Sequence, residues 1–276
     1  MDPLPLSPQV FSLLAGLVEE RTGLHHGLDR RDLFAERVST RAVERGLDTL
    51  LDYYYVLRYD DPDGAEMQHL VEALVIHETY LLRELDQLEV AADLLAERAR
   101  AAGSARAWSA ACATGEEPLS LAMLLDARGV LDRVELVASD VSGRALARAQ
   151  EGRYGPRALR APPPPPLEPW VDRWVERRPD GLVVRRELIE RVRWRRVNLL
   201  DDAARRALGA FDAVLCRNVL IYFADDAARR VVQGIVEQLA PGGALFVGVS
   251  ESLVRLRLPL ECVERGGVFH YRRARP

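Results

Sequence analysis

The sequence contains no lysine: all 38 of its basic residues are arginine, set against 42 aspartates and glutamates. Every positive charge is therefore a planar guanidinium that stays ionised wherever it sits. A net charge of −4 removes the broad basic surface that nucleic acid or an anionic membrane would require. Cysteine is scarce. Cys112, Cys216 and Cys262 lie far apart and form no C-x-x-C pair, which excludes a disulfide framework and a paired-cysteine metal or redox motif. The five histidines (His25, His26, His69, His77, His270) are not arranged as a ligand set, so no metal is expected. No apolar run reaches the roughly 18 residues of a membrane span, and Met1–Val10 does not read as a secretory leader. The expectation is a soluble, reduced, cytoplasmic chain without membrane insertion.

Also absent is a full G-x-G-x-x-G fingerprint, so a pyrophosphate-bearing dinucleotide would be poorly served. What stands in its place is A-A-C-A-T-G-E-E-P at 110–118. It follows the apolar run Ala105–Ala111 and precedes the helical pattern Leu119–Leu125. Small residues and Gly115 allow close backbone approach, and the open amides of a helix start favour polar or anionic groups. A second apolar run, Val134–Ser139, ends at Asp140. An acid at the tip of the second strand, roughly 20 residues past the first turn, suits two ribose hydroxyls. Together these features favour an adenosine ligand without a pyrophosphate, with S-adenosylmethionine as the candidate.

With 276 residues, 48% of them hydrophobic, the chain can bury one full α/β core and a small second domain. The first 85 residues carry helical spacing at Val10–Arg21, Thr49–Tyr59 and Gly64–Val75. Asp29 is positioned to cap a further helix bearing Leu33, Phe34 and Val38. Along that helix Arg37, Arg41 and Arg45 share a face, either solvated beside Asp32, Glu36 and Glu44 or available to dock an acidic helical partner. A helical domain is therefore expected over residues 1–85.

Over residues 86–276 helices alternate with strands. Leu85–Ala102 is a long helix, and Gly143–Glu151 is a helix closed by Gly152. Pro162–Pro166 is an extended spacer, and Trp174–Arg178 with Leu182–Arg186 forms a hairpin around Asp180-Gly181. Arg191–Leu199, Phe211–Arg217 and Ala244–Val249 read as strands, and Ala227–Leu239 as a helix ended by Pro241-Gly242-Gly243. A terminal hairpin, Glu261–Arg265 with Val268–Arg272, closes the pattern. The expected fold class is α/β, a doubly wound sheet with an antiparallel terminal strand, as in class I methyltransferases.

Six blocks carry a resemblance: H-E-T-Y-L-L-R-E at 77–84, W-S-A-A-C-A-T-G-E-E-P at 108–118, A-S-D-V at 138–141, V-N-L-L at 197–200, F-D-A-V-L-C-R-N-V-L-I-Y-F at 211–223 and G-V-S-E-S at 248–252. In this order, from about Val10 to Tyr271, they resemble the CheR type of chemoreceptor glutamate methyltransferase. The resemblance implies S-adenosylmethionine as methyl donor, S-adenosylhomocysteine as product, and a small β-subdomain inserted near residues 170–195. It implies a monomer acting on the cytoplasmic helices of methyl-accepting chemoreceptors.

Carried over by position, the donor-binding set is His77, Thr79, Arg83, Glu117, Asp140, Asn198, Leu199, Arg217 and Asn218. Arg83 and Tyr222 become the groups that orient the reaction, and Arg37, Arg41 and Arg45 the receptor-docking face. Each has a plainer reading. Asp140 can be a turn aspartate and Glu117 a helix-start carboxylate. Arg83 can pair with Glu84 or Asp86, the two asparagines can cap loops, and Tyr222 can be a core tyrosine. His77 departs from the family's usual asparagine, and Leu81 and Leu82 from its phenylalanines. The short turn at Arg177–Gly181 implies an enzyme that works without a receptor C-terminal peptide tail. Two other possibilities remain at this stage, namely methyl transfer to another protein or small molecule and a donor-binding scaffold without turnover.

Overall fold

A computed structural model describes residues 3–273, which form two compact units, Met1–Ile76 with Tyr222–Ala228 and His77–Ile221 with Arg229–Pro276. The division falls after Ile76, ahead of the boundary expected at Leu85, so the segment His77–Glu84 belongs with the second unit.

The first unit is helical: α1 (Pro8–Thr22), α2 (Arg31–Glu44), α3 (Leu50–Tyr59) and α4 (Ala65–Leu74). The Ser7 side chain accepts from Val10 N at the start of α1, and Pro8 occupies the first turn, where its missing N–H costs nothing. Gly23, at φ 77°, ends the helix in the left-handed conformation. The apolar stripes converge on Leu14, Val18, Phe34, Val38, Tyr53 and Leu70, each essentially inaccessible. Asp29 does not cap α2. The chain makes a tight 3-10 turn at Leu28–Arg30, which leaves Arg30 at the cap position with no side-chain hydrogen bond to the helix.

The second unit runs α5 (Leu85–Ala102), β1 (Ala105–Ala110), α6 (Glu116–Ala127), β2 (Val134–Asp140), α7 (Gly143–Glu151), β3 (Arg153–Tyr154), α8 (Glu168–Trp174), β4 (Val175–Arg178), β5 (Gly181–Val184), α9 (Arg186–Ile189), β6 (Val192–Arg196), α10 (Asp202–Arg206), β7 (Phe211–Leu215), α11 (Asp225–Gln238, in this unit from Arg229), β8 (Leu239–Phe246), β9 (Leu260–Arg265) and β10 (Val268–Arg273). Seven strands form one sheet in the order β6-β2-β1-β7-β8-β10-β9. β10 runs antiparallel to β8 and β9, and the other neighbouring pairs are parallel. The order reverses between β1 and β7, which opens a crevice at the carboxyl ends of those strands. Trp108 on β1 is fully buried and donates its indole N–H to Ser139 Oγ on β2, 2.9 Å away.

Two local expectations are corrected. Pro241-Gly242-Gly243 lies within β8 rather than ahead of it, beside a register shift between Phe211 and Ala213 that accommodates the irregular backbone. The small sheet has three strands in the order β3-β5-β4. It draws on residues 153–184, whereas β6, which overlaps the end of the expected 170–195 window, is the edge strand of the main sheet. Gly181 allows this packing: a Cβ there would stand 2.1 Å from the Tyr154 carbonyl oxygen. Two residues of β3 are too short to show any periodicity in sequence.

Candidate functional site

At the end of β1 the chain leaves the sheet through three left-handed positions in five residues: Ala111 (φ 57°), Ala113 (φ 48°) and Gly115 (φ 91°). This path brings the backbone close to the end of β2. Cys112 N donates to the Ser139 carbonyl over 2.9 Å, and Ala113 N donates to Asp140 Oδ2 over 2.8 Å. Gly115 is required twice over, by its φ and because a Cβ would lie 2.6 Å from Ala149 Cβ and 2.8 Å from the Trp194 ring. Asp140 is only 6% exposed, and its second oxygen accepts from Ser142 N at 2.9 Å. Its carboxylate is thereby held at the tip of β2, facing the loop. Burial, with the nearby Asp140 and Glu117 carboxylates, pushes the Cys112 thiol well above its ordinary pKa, which keeps it protonated and unreactive.

Helix α6 opens with two adjacent glutamates in different surroundings. Glu116 is buried, which raises its pKa against the opposing hydrogen bond from the Thr114 hydroxyl. Glu117 is oriented through both oxygens: Ser109 Oγ donates to Oε1 at 2.6 Å and Arg217 Nη1 to Oε2 at 2.9 Å.

Arg217, just past β7, is the centre of the network. Its side chain is 1% exposed, and every part of the guanidinium has a partner. Nε donates to Gln87 Oε1 (2.9 Å), Nη1 to Glu117, and Nη2 to both the Arg83 carbonyl (2.7 Å) and Glu84 Oε2 (3.1 Å). One buried cation therefore joins α6 to the segment that carries Arg83. Glu84 sits at φ 51° and also accepts from Asn218 Nδ2 (3.1 Å) and Val249 N (3.3 Å). Burial opposes its charge, but Arg217 and these hydrogen bonds outweigh that and hold the carboxyl below its ordinary pKa. Asn218 is itself left-handed (φ 57°). Its N–H, with those of Gly248, Leu220 and Ile221, donates to the carboxylate of Glu251.

The remaining predicted residues are placed as follows. His77 and Thr79 are partly buried on the segment leading to Arg83. Arg83 Nη1 donates to the Glu78 carbonyl over 2.8 Å, and the guanidinium lies 5.8 Å from the Tyr80 ring centroid. The segment is pinned by Leu81 N to the Ala158 carbonyl (2.7 Å) and Leu82 N to Ser120 Oγ (2.9 Å). Asn198 closes a turn past β6, its Oδ1 accepting from Leu200 N, and Leu199 is buried. Val197 N donates to the Asp140 carbonyl over 3.0 Å, which ties this turn to the end of β2. Tyr222 falls in the first unit, where its carbonyl accepts from His25 N over 2.8 Å.

Arg37, Arg41 and Arg45 do not form one free basic face. Arg37 donates to the Leu74 carbonyl, and Arg41 grips the buried carboxylate of Glu66 on α4 with two nitrogens while also bonding Glu44. Only Arg45 keeps half its side chain exposed, 3.6 Å from Glu66. Sequence reasoning missed Gln87, Glu84 and Glu251 as parts of the network. The two glutamates lay in quoted motif blocks, but nothing in their spacing shows that they meet Arg217 and Asn218.

Residues 77–266 match the family model described as CheR methyltransferase, SAM binding domain, and residues 9–75 match CheR methyltransferase, all-alpha domain. Among curated relatives, chemotaxis protein methyltransferase 2 of Vibrio cholerae is 32% identical over 282 residues, covering 100% of this chain and 93% of the relative. The chemotaxis protein methyltransferase of Klebsiella aerogenes is 35% identical, covering 92% of this chain and 86% of the relative. The corresponding protein of Escherichia coli is 34% identical, with 92% and 87% covered.

Proposed function

Because the chain belongs to the CheR methyltransferase family, we propose that it methylates glutamate side chains on the cytoplasmic helices of chemoreceptors, using S-adenosylmethionine and forming glutamyl methyl esters. The observation that carries this reading is the pair of oriented carboxylates at the strand-order reversal. Asp140 stands at the tip of β2 and Glu117 in the first turn of α6, on either side of a loop whose left-handed backbone permits close approach. That donor set fits the ligand: Asp140 suits two ribose hydroxyls, and Glu117 suits an α-ammonium. Thr79, Asn198, Leu199 and Asn218 complete the cradle, together with His77 in place of the family's asparagine. Bound there, S-adenosylmethionine supplies a methyl group on a sulfonium cation.

The protein's own part is alignment. A glutamate side chain is ionised near neutral pH, so no general base is needed. Attack of an anion on a cation cancels charge, and strong stabilisation of either reactant would raise the barrier rather than lower it. Arg217 meets this requirement, since Glu84 and Glu117 neutralise it. Arg83 orients the acceptor carboxylate through its planar fork. Holding both reactants in line supplies several kcal/mol of the barrier. Receptor docking uses the α2 surface and its end, with Arg45 the most accessible of Arg37, Arg41 and Arg45; Arg37 and Arg41 contribute by holding α2 to α4. The tight β4–β5 turn supports action without a receptor tail peptide.

The test is transfer of a labelled methyl group to a receptor cytoplasmic fragment, paired with calorimetric titration of S-adenosylhomocysteine. The wild type is expected to bind and to label base-labile sites. Asp140→Ala should weaken binding by at least tenfold. Binding without labelling of receptor fragments would refute the assignment of substrate.

A further inference from the structure

We propose that Glu251 is a positioning residue for methyl transfer, holding the loop after β7 in the conformation that presents Asn218 to the donor. Its Oε2 accepts from Asn218 N and Gly248 N, each at 2.7 Å, and its Oε1 from Leu220 N at 2.7 Å and Ile221 N at 3.3 Å. Four backbone amides from two loops converge on one carboxylate. An ionised acceptor makes hydrogen bonds roughly twice as strong as a neutral one. Such a concentration of donors is an anion nest, and here the anion is supplied by the chain itself.

The conformation needs this support. Asn218 is left-handed (φ 57°), a geometry that costs a non-glycine residue of order 1–3 kcal/mol unless its surroundings impose it. The amides of Leu220 and Ile221 lie in the helical turn Leu220–Tyr222, where first-turn N–H groups have no partner within the turn. Glu251 supplies one. A second carboxylate completes the clamp: Glu84 accepts from Asn218 Nδ2 and Val249 N, so both the backbone and the side chain of Asn218 are fixed by glutamates from other loops. Gly248 makes the approach possible. A Cβ there would lie 2.4 Å from Asn218 Nδ2, 2.9 Å from Asn218 N and 2.9 Å from Glu251 Oε2. The G-V-S-E-S block thus acts on the donor cradle through Asn218, and it also sets the start of the turn that leads to Tyr222.

The inference rests on the methyltransferase reading, and its test separates the two. Glu251→Gln keeps size and shape but sets an NH2 group against amide donors. Gly248→Ala displaces the same loop by crowding Asn218 and Glu251 while leaving the carboxylate's charge unchanged. Both are expected to weaken S-adenosylhomocysteine binding at least tenfold and to lower kcat at least tenfold. KM for the receptor fragment should stay within twofold, and the tryptophan-monitored unfolding of the folded enzyme should remain cooperative. Glu251→Asp, which retains the charge, should recover part of both losses, whereas Glu97→Gln, at an exposed ion pair with Arg265, should change neither. If either variant that folds binds S-adenosylhomocysteine and turns over within twofold of wild type, the proposal is overturned. It is also overturned if activity falls only in proportion to the unfolded fraction. A wild type that binds S-adenosylhomocysteine without methylating receptor would sink the substrate reading instead, and the binding data on the variants would still decide the role of Glu251.

Discussion

Arg217→Met is the most informative single perturbation of the network. Methionine matches much of the arginine stem in volume but removes a guanidinium that is 1% exposed and bonded to Gln87, Glu117, Glu84 and the Arg83 carbonyl. The loss leaves two largely buried carboxylates facing each other without a cation. Breaking a buried pair in this way costs about 3–5 kcal/mol, most of it the penalty of the charges left behind. All four tryptophans lie in the second unit, at 108, 170, 174 and 194, so urea unfolding followed by their fluorescence reports on the unit that contains the change. Adding Glu84→Gln should return at least about 1 kcal/mol, because the second substitution removes one of the stranded charges. The cost should also shrink in acid. In the wild type the lowered Glu84 pKa contributes stability above the ordinary carboxylate value of about 4.3, and this is lost as pH falls through the lower folded value. Without Arg217, burial acts on Glu84 against only the Asn218 and Val249 hydrogen bonds, so its pKa rises relative to the wild type and protonation relieves the variant. A destabilisation below about 1 kcal/mol at pH 7.5, or one independent of Glu84, would refute the account of Arg217 as the buried link between α6 and the Arg83 segment.

Two further outcomes are expected. Gly115→Ala combines a left-handed φ with a Cβ placed against Ala149 and Trp194, and should cost roughly 1–3 kcal/mol and weaken S-adenosylhomocysteine binding; unchanged stability by urea titration would contradict the packing argument. His270, fully buried and stacked 5.2 Å from Phe246, has no hydrogen-bond partner for either ring nitrogen among the described residues, and burial, aided by Arg272 and Arg265, lowers its pKa to about 4. Stability should therefore fall as pH drops from about 6.5 towards 4, by up to about 3 kcal/mol, because the unfolded chain takes up the proton first. His270→Phe should remove that part of the acid sensitivity, and identical pH profiles for the two proteins would refute it.

Much of the fold was legible because its signals are local. Leu85–Ala102 and Gly143–Glu151 carry helical periodicity to clear stops at Gly103 and Gly152, both left-handed, and the structure ends the helices there. The buried strands β1, β2 and β7 show as short apolar runs, and Asp140 is recognisable from its place at the end of one of them. Residue type and spacing along the chain were enough for these features.

Tertiary structure alone decided which charged groups meet. Arg217 lies far along the chain from Glu84, Gln87 and Glu117, and no periodicity encodes their convergence; it arises because β1 and β7 are neighbours in the sheet. The same holds for Glu251, whose four amide partners become available only once β7 and β8 pair and bring the following loops together. Arg37 and Arg41 show the reverse case. In sequence they share a surface face with Arg45, yet packing of α2 on α4 engages Arg37 with the Leu74 carbonyl and Arg41 with a buried glutamate. Sequence determines what each segment can become on its own, but a buried charge finds its partner only when the core has closed around both, because only exclusion of water makes that pairing necessary.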